Sequence, residues 1–261
     1  MAGIFGKQAA AAALFGCSLI SAFIISTFEA LAAELKVMST VALTPALDEL
    51  KLGFESNGNR LTIVYSTIAE LKKRIDAGET ADVIMLSRPV LDELARQGKV
   101  TEGSIVNIGM SYVAVGVRAG APLPDISTAE KLKAALLATR SISYADPAKG
   151  GASGVYIAKV IDRLGIAEEM KPKTTLVPNA QAGELVARGE VEMGVAQASE
   201  IAAVPGTQVV GPLPGDLNSS IIFAIGAGST SQSPSAAKAL IELMTSPAAL
   251  DVMKSKGMDP P

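Results

Sequence analysis

The sequence predicts an α/β protein of two units, each a mostly parallel sheet flanked by helices. Short apolar runs alternate with segments of helical period from Leu35 onward, and the links between them are short and rich in Gly, Pro, Ser and Thr. The same alternation resumes at Ser111 after a turn-rich stretch, which is the mark of a second unit. With 261 residues, 49% of them hydrophobic, 24 Gly and 14 Pro, the chain can fill a core and make many turns, and this composition excludes disorder.

In the first unit, Leu35–Thr40 reads as a buried strand, and Thr44-Pro45 supplies an N-cap with Pro at the first helical position. Leu43, Ala46, Leu47, Leu50 and Phe54 keep the helical period. Leu61–Tyr65 is the next strand, followed by a helix carrying Ile68, Leu71 and Ile75 that stops at Gly78. Asp82–Leu86 is a third strand, and a helix from Arg88-Pro89 ends near Gly98. The order βαβαβα with short links argues for a parallel sheet.

In the second unit, Ser111–Val117 is a strand, and Ser127-Thr-Ala-Glu130 reads as a capping box opening a helix through Leu137. Ser141–Tyr144 returns to strand, and Gly150-Gly-Ala-Ser-Gly154 leads a helix that stops at Gly165. Thr174–Val177 and Met193–Gln197 are strands separated by a helix from Ala180 to Ala187. Strands at Thr207–Val210 and Ile221–Ala227 follow, then helices opened by Ser233-Pro234 and Ser246-Pro247.

The charge balance, 23 Lys+Arg against 26 Asp+Glu for a net charge of -3, gives no reason to bind nucleic acid or an anionic membrane. With no His and one Cys, the chain cannot build a Ser–His triad, a thiolate–imidazole pair or a His/Cys zinc site. No metal and no cofactor is expected. Chemistry here must use oxygen acids, Lys, Tyr or backbone dipoles.

The N-terminus has Lys7 as its only cation, an apolar run from Ala9 to Phe28, and Ala30-Leu31-Ala32 before Ala33-Glu34. That is the pattern of a signal peptide spanning residues 1–32, cut after Ala32, and it places the mature chain in the periplasm. An uncleaved membrane anchor is the alternative, since the run is long enough to span a bilayer. A lipobox at Leu14-Phe15-Gly16-Cys17 is a weaker one, because the run continues past Cys17 to Phe28. Cleavage after Ala32 removes Cys17 and leaves a cysteine-free protein held together by its core.

Ligands of parallel α/β sheets bind beyond the carboxyl ends of the strands, where helix N-termini present unpaired N–H groups. Those ends carry Ser39-Thr40, Ser66-Thr67, Ser87-Arg88, the stretch Asp146–Gly154 with Gly151 and Ser153, Asn179 and Gln197. Hydroxyls, amides and the cations Arg88 and Lys149 suit a small oxyanion or carboxylate. Any single Ser or Thr at such a turn is as readily a plain N-cap, so the collection carries the argument. The glycine loop is neither a Walker A nor a dinucleotide fingerprint. Arg88 can make a bidentate carboxylate contact or be a solvated helix-start arginine. Tyr65, Tyr144 and Tyr156 can each bring a phenol to the cleft or pack in the core.

The run Ala42-Leu43-Thr44, Tyr65-Ser66-Thr67, Ile75-Asp-Ala-Gly78, Ala81–Ser87, Ser153-Gly-Val-Tyr156 and Val186–Val195 resembles the periplasmic molybdate-binding protein family over essentially the whole mature chain. The resemblance implies a two-lobed periplasmic binding protein fold that closes on its ligand and hands it to an inner-membrane ABC permease, acting as a monomer. It implies a first lobe of residues 34–115 and 206–261 and a second of 116–205. Molybdate binders hold their anion with a Ser where this chain has Ala42, a Ser near Ile68 and a Tyr where it has Gln197, and they have a small or acidic residue where it has Arg88. These departures favour a di- or tricarboxylate over a tetrahedral oxyanion. One branch of the family is similar to periplasmic aconitate isomerase, which shifts a double bond between trans- and cis-aconitate. An isomerase needs a base for a carbon-bound proton, and the candidates are Lys149, Tyr65, Tyr156 and Glu70, each requiring a shifted pKa.

Overall fold

The computed structural model describes residues 33–178 and 182–261. The expected signal peptide and Asn179 lie outside the described residues. No helix among the described residues is long and apolar enough to cross a membrane.

Three parallel strands form the heart of the first lobe: β1 (Glu34–Thr40) lies between β2 (Arg60–Ser66) and β3 (Val83–Ser87). Helices α1 (Thr44–Glu55), α2 (Ile68–Asp76) and α3 (Arg88–Arg96) follow these strands in turn. Thr67 caps α2 by accepting the Glu70 N–H, and Gly78 and Gly98 end α2 and α3 at positive φ, where a side chain is strained. α1 begins a turn later than Thr40 because Val41–Leu43 coils as a 3-10 turn, so Thr44 is the first residue of the helix and not its cap.

The second lobe repeats the plan. β5 (Ile142–Ala145) lies parallel between β6 (Thr174–Val177) and β7 (Met193–Gln197). Helices α4 (Ala129–Ala138), α5 (Ala152–Arg163), the short α6 (Ala167–Met170), α7 (Ala182–Arg188) and the short α8 (Ala198–Ala202) surround it. Thr128, not Ser127, caps α4 by accepting the Lys131 N–H.

Two antiparallel segments join the lobes. β4 (Val106–Arg118) pairs through residues 106–112 with β9 (Ser220–Ala227) in the first sheet and through residues 113–118 with β7 and β8 (Thr207–Pro212) in the second. The strand order is therefore β2-β1-β3-β9-β4 in one lobe and β6-β5-β7-β4-β8 in the other. The switch falls at Tyr112/Val113, and β8 with Leu213 and Leu217 packs into the second lobe, although the sequence placed residues 206 onward in the first. The chain returns to the first sheet only at β9, and α9 (Pro234–Met244) and α10 (Pro247–Ser255) then close that lobe.

Each sheet is covered on both faces. Leu47 and Phe54 of α1 join Leu240, Met244 and Met253 on one side of the first sheet, and Leu71, Leu91 and Leu94 of α2 and α3 cover the other. In the second lobe Leu132, Leu136, Ile157 and Ile161 pack against Ile142 and Val195, while Val186 and Ile201 sit on the opposite face with Ala114 and Ala196. Burying side chains of this size contributes roughly 1.5–3 kcal/mol each, enough to hold the chain without staples.

The approach of α5 to β5 fixes where the glycine loop lies. A Cβ on Gly154 would stand 1.8 Å from the Ala145 carbonyl oxygen, and one on Gly151 2.7 Å from the Ala145 Cβ. These glycines serve helix–strand packing. Gly154→Ala is expected to lower unfolding free energy by about 3 kcal/mol in a urea titration, the upper range for overpacking a core. Gly53→Ala, in the exposed part of α1 with nothing within 4 Å of the added atom, is expected to raise it by about 0.5–1 kcal/mol.

Candidate functional site

The carboxyl ends of β1, β2, β5 and β7 point toward one another across the gap between the lobes, and the residues just past them enclose a pocket of about 390 Å³, its open mouth included. The first lobe contributes Thr40, Val41 and Ala42 after β1, Thr67 and Ile68 after β2, and Ile221 and Phe223 from β9. The second contributes Ala145, Gly151, Ala152, Ser153, Gln197 and Glu200.

Two helix N-termini from opposite lobes meet there. α2 begins at Ile68 behind its cap Thr67, and α5 begins at Ala152 behind Gly151, which offers no side-chain cap. The first N–H groups of a helix have no intrahelical partner, and the helix dipole favours negative charge beside them. The hydroxyls of Thr40, Thr67 and Ser153 stand at the same wall. No Lys or Arg among the described residues lines the pocket.

Two groups in this pocket bear an energetic cost. The carboxamide of Gln197 is 3% exposed; its oxygen faces the Glu200 backbone N–H in the capping box that opens α8, and its nitrogen has no hydrogen-bond partner among the described residues. An unpaired buried amide nitrogen costs about 1–3 kcal/mol, so a fold retains one where something else will pair with it. Glu200 opens on the same pocket, with Oε2 accepting the Gln197 backbone N–H at 3.2 Å. Burial pushes its carboxyl up from 4.5 to about 7, and the Gln197 N–H offsets only part of that rise.

Among the residues read from the sequence, the pocket unites Thr40, Thr67, Gly151, Ser153 and Gln197. Ser39 and Ser66 are not in its wall; Ser39 is fully buried and donates to the Thr40 carbonyl instead. Arg88 lies on a wider open groove with Lys72, where its guanidinium donates to Asp92 at 2.8 Å and to Asn107 at 3.2 Å. That groove shares Ile68, Ala152 and Ile221 with the pocket, so the two form one continuous cleft. Ala42, Ile68 and Gln197, which stand at or near the places where the resemblance puts hydroxyl donors in molybdate binders, all line the pocket.

None of the four candidate bases reaches this wall. The Tyr65 hydroxyl donates to Asp48 at 2.7 Å, and burial beside that carboxylate pushes its pKa upward and keeps it protonated. The Tyr156 hydroxyl donates to the Leu217 carbonyl, and Lys149 and Glu70 are exposed. The titratable side chain in the pocket is Glu200, which was not singled out from the sequence. Its signal was position alone, since it follows the end of β7 by three residues and reads as half of a capping box.

The lobes also touch. Ser199 of α8 donates to the Ala42 carbonyl at 3.2 Å, and a Cβ on Gly150 would meet the Ala69 Cβ at 2.9 Å. These contacts, one beside the crossover strands and one at the mouth, bring the two lobes together on either side of the pocket.

Comparison with known proteins agrees with this arrangement. A family model described as bacterial extracellular solute-binding protein matches residues 35–259. An aconitate isomerase from Pseudomonas sp is 31% identical over 252 residues, covering 92% of this chain and 95% of its own. The periplasmic molybdate-binding protein of Azotobacter vinelandii superposes with a TM-score of 0.70 at 19% identity, over 87% of this chain and 99% of that one. The sulfate-binding protein SubI of Mycobacterium tuberculosis gives 0.68 at 20% identity, over 87% of each chain.

Two outcomes follow from the cost borne at this site. Gln197→Leu removes the unpaired amide at nearly constant volume, and in the absence of ligand it is expected to unfold at the same urea concentration as wild type or a higher one. Because Glu200 is more basic folded than unfolded, its stabilising contribution is whole below pH 4.5 and is lost as pH rises through about 7. Relative to Glu200→Gln, wild type should therefore lose up to about 3 kcal/mol between pH 4 and pH 8, and an unchanged difference between the two proteins would exclude the raised pKa.

Proposed function

The chain belongs to the bacterial extracellular solute-binding protein family, and from that premise we propose that it captures a small di- or tricarboxylate between its lobes in the periplasm for an ABC importer. The observation that carries this reading is the Gln197 carboxamide, buried, with its nitrogen unpaired among the described residues, and set in the wall of the cleft. A carboxylate accepts from its N–H groups. The helix N-termini of α2 and α5 and the hydroxyls of Thr40, Thr67 and Ser153 supply further donors.

The shape of the cleft favours an extended anion over a compact one. A compact tetrahedral oxyanion bound in the pocket would lie beside the carboxyl of Glu200, with no Lys or Arg in the wall among the described residues. A polycarboxylate can place one carboxylate among the N–H donors and run past Ile68, Ala152 and Ile221 toward the groove that holds Lys72 and Arg88. The cations are thus available to a remote carboxylate, not to the buried one.

A second reading is favoured by Glu200 together with the aconitate isomerase relative: interconversion of trans- and cis-aconitate in the same cleft. A carboxyl whose pKa is near 7 exists in both protonation states at neutral pH, which acid–base chemistry requires and simple capture does not.

Thermal-shift titration against tricarballylate, cis- and trans-aconitate, molybdate, tungstate and sulfate tests both. The tricarboxylates are expected to stabilise the protein by about 2.7 kcal/mol at a hundred times their dissociation constant. Gln197→Ala should weaken them by about ten- to a hundredfold, the loss of a hydrogen bond to a charged group. A response to molybdate and tungstate alone would replace carboxylate capture by metal-oxyanion capture. Conversion of trans- to cis-aconitate in the same samples separates the enzyme from the binder.

A further inference from the structure

We infer that Glu200 is the catalytic acid–base group of this cleft, moving one proton between two carbons of an unsaturated polycarboxylate, an assignment that rests on the isomerase reading above. The geometry isolates it. It is the titratable side chain in the pocket wall, and no Lys or Arg among the described residues shares that wall to neutralise it. The Gln197 backbone N–H holds Oε2 at 3.2 Å, which fixes the carboxyl while Oε1 makes no hydrogen bond among the described residues. An oriented carboxylate with one oxygen unengaged and no counter-ion is a stronger base than one in water.

The groups around it suit the charge such a reaction creates. Removing a proton from a methylene next to a carbon–carbon double bond and a carboxylate puts negative charge on that carboxylate. The unpaired N–H groups of the Gln197 carboxamide and the first-turn N–H groups of α5 at Ala152 and Ser153 line the same pocket. Donors already in place where charge develops lower the barrier without reorganising.

The step balances within the pocket. The methylene C–H bond breaks, its proton goes to Glu200, and its electron pair spreads over the allylic system onto the adjoining carboxylate. The carbon two atoms away then takes a proton from Glu200, the double bond moves by one position, and Glu200 is again a carboxylate. Nothing is oxidised or reduced. One base serves both ends of a three-carbon shift when both carbons lie on the same face toward it, so no second acid is called for.

The test is proton NMR of trans-aconitate in deuterium oxide with the full-length protein, paired with binding of tricarballylate, which has no double bond to move. Wild type should form cis-aconitate with exchange of solvent deuterium into the methylene position. Glu200→Gln keeps an oxygen to accept the Gln197 N–H, so tricarballylate affinity should stay within about threefold while turnover falls by about a hundredfold or more. Glu200→Asp should recover part of that loss. Isomerisation by Glu200→Gln at the wild-type rate would overturn the assignment and leave the isomerase reading standing. Loss of tricarballylate binding in both variants would make Glu200 a binding residue. A wild type that binds tricarballylate yet neither converts nor exchanges aconitate would overturn the assignment together with the isomerase reading, leaving capture intact.

Discussion

A single strand holds the cleft in register. β4 runs for 13 residues and is hydrogen-bonded into both sheets, first to β9 and then to β7 and β8, with the change at Tyr112/Val113. The antiparallel path from β8 to β9 accompanies it, so the lobes are joined by two adjacent extended segments. Every backbone group along β4 that pairs in one sheet constrains the direction in which it enters the other. Ser111, fully buried on β4, accepts the Ser199 N–H at 3.5 Å, and the Ser199 hydroxyl in turn donates to the Ala42 carbonyl. The crossover therefore reaches the pocket wall through two hydrogen bonds. Any opening of the lobes has to break the Ser199–Ala42 contact while β4 bends, and the register shifts at Asn107/Gly109 and Val115/Gly116 are where its ladder is already interrupted.

That crossover is what lets a pocket without a cation suit an anion. Each lobe alone offers one helix N-terminus and a few hydroxyls, a partial charge of about one half at best. Facing α2 with α5 across one gap adds the two fields, and the burial of the pocket wall weakens their screening. Burial in the same place leaves the Gln197 carboxamide nitrogen without a partner among the described residues and raises the Glu200 pKa. Local rules are broken here by two residues three positions apart, at the end of β7 and in the first turn of α8, and departures of this kind concentrate at functional sites.

The organisation of the fold was legible because β1, β2, β3, β5 and β7 are short apolar runs ending in hydroxyl, amide or small residues, each followed by a helix that buries one face. β4 was read too short because its first residues, from Val106, pair only with distant β9 and carry no local strand signal. For the same reason β8 was assigned to the wrong side of the crossover: its partner is chosen by tertiary pairing that a run of six residues does not encode. At the site, the sequence located the strand ends but not the faces. In the pairs Ser39-Thr40 and Ser66-Thr67 the two side chains point to opposite sides of the sheet, and only the second of each pair reaches the pocket. Arg88 and Tyr65 were drawn away by Asp92, Asn107 and Asp48, partners separated from them by up to 19 residues. Glu200 escaped notice because an acidic residue in a first helical turn is ordinary there, and only the closed cleft makes it unusual.

The fold is shared with molybdate- and sulfate-binding proteins, and the inferred role of Glu200 bears on how such a scaffold could acquire chemistry. A cleft that captures an anion already has what a carbanionic intermediate needs: donors aimed at a carboxylate, helix dipoles of the right sign and closure against water. What capture lacks is a base, and a base beside an anion site is ordinarily unfavourable because it repels the ligand. Here the repulsion is moderated, since a carboxyl with a pKa of about 7 is held in both protonation states near neutral pH, and its ionised form is the one that accepts a proton. Burial thus reconciles the two demands. On the assignment inferred above, the desolvation that makes Glu200 tolerable next to an anion is the same desolvation that would make it basic enough to take a proton from carbon, so a single residue in the first turn of α8 would separate a binding cleft from a reacting one.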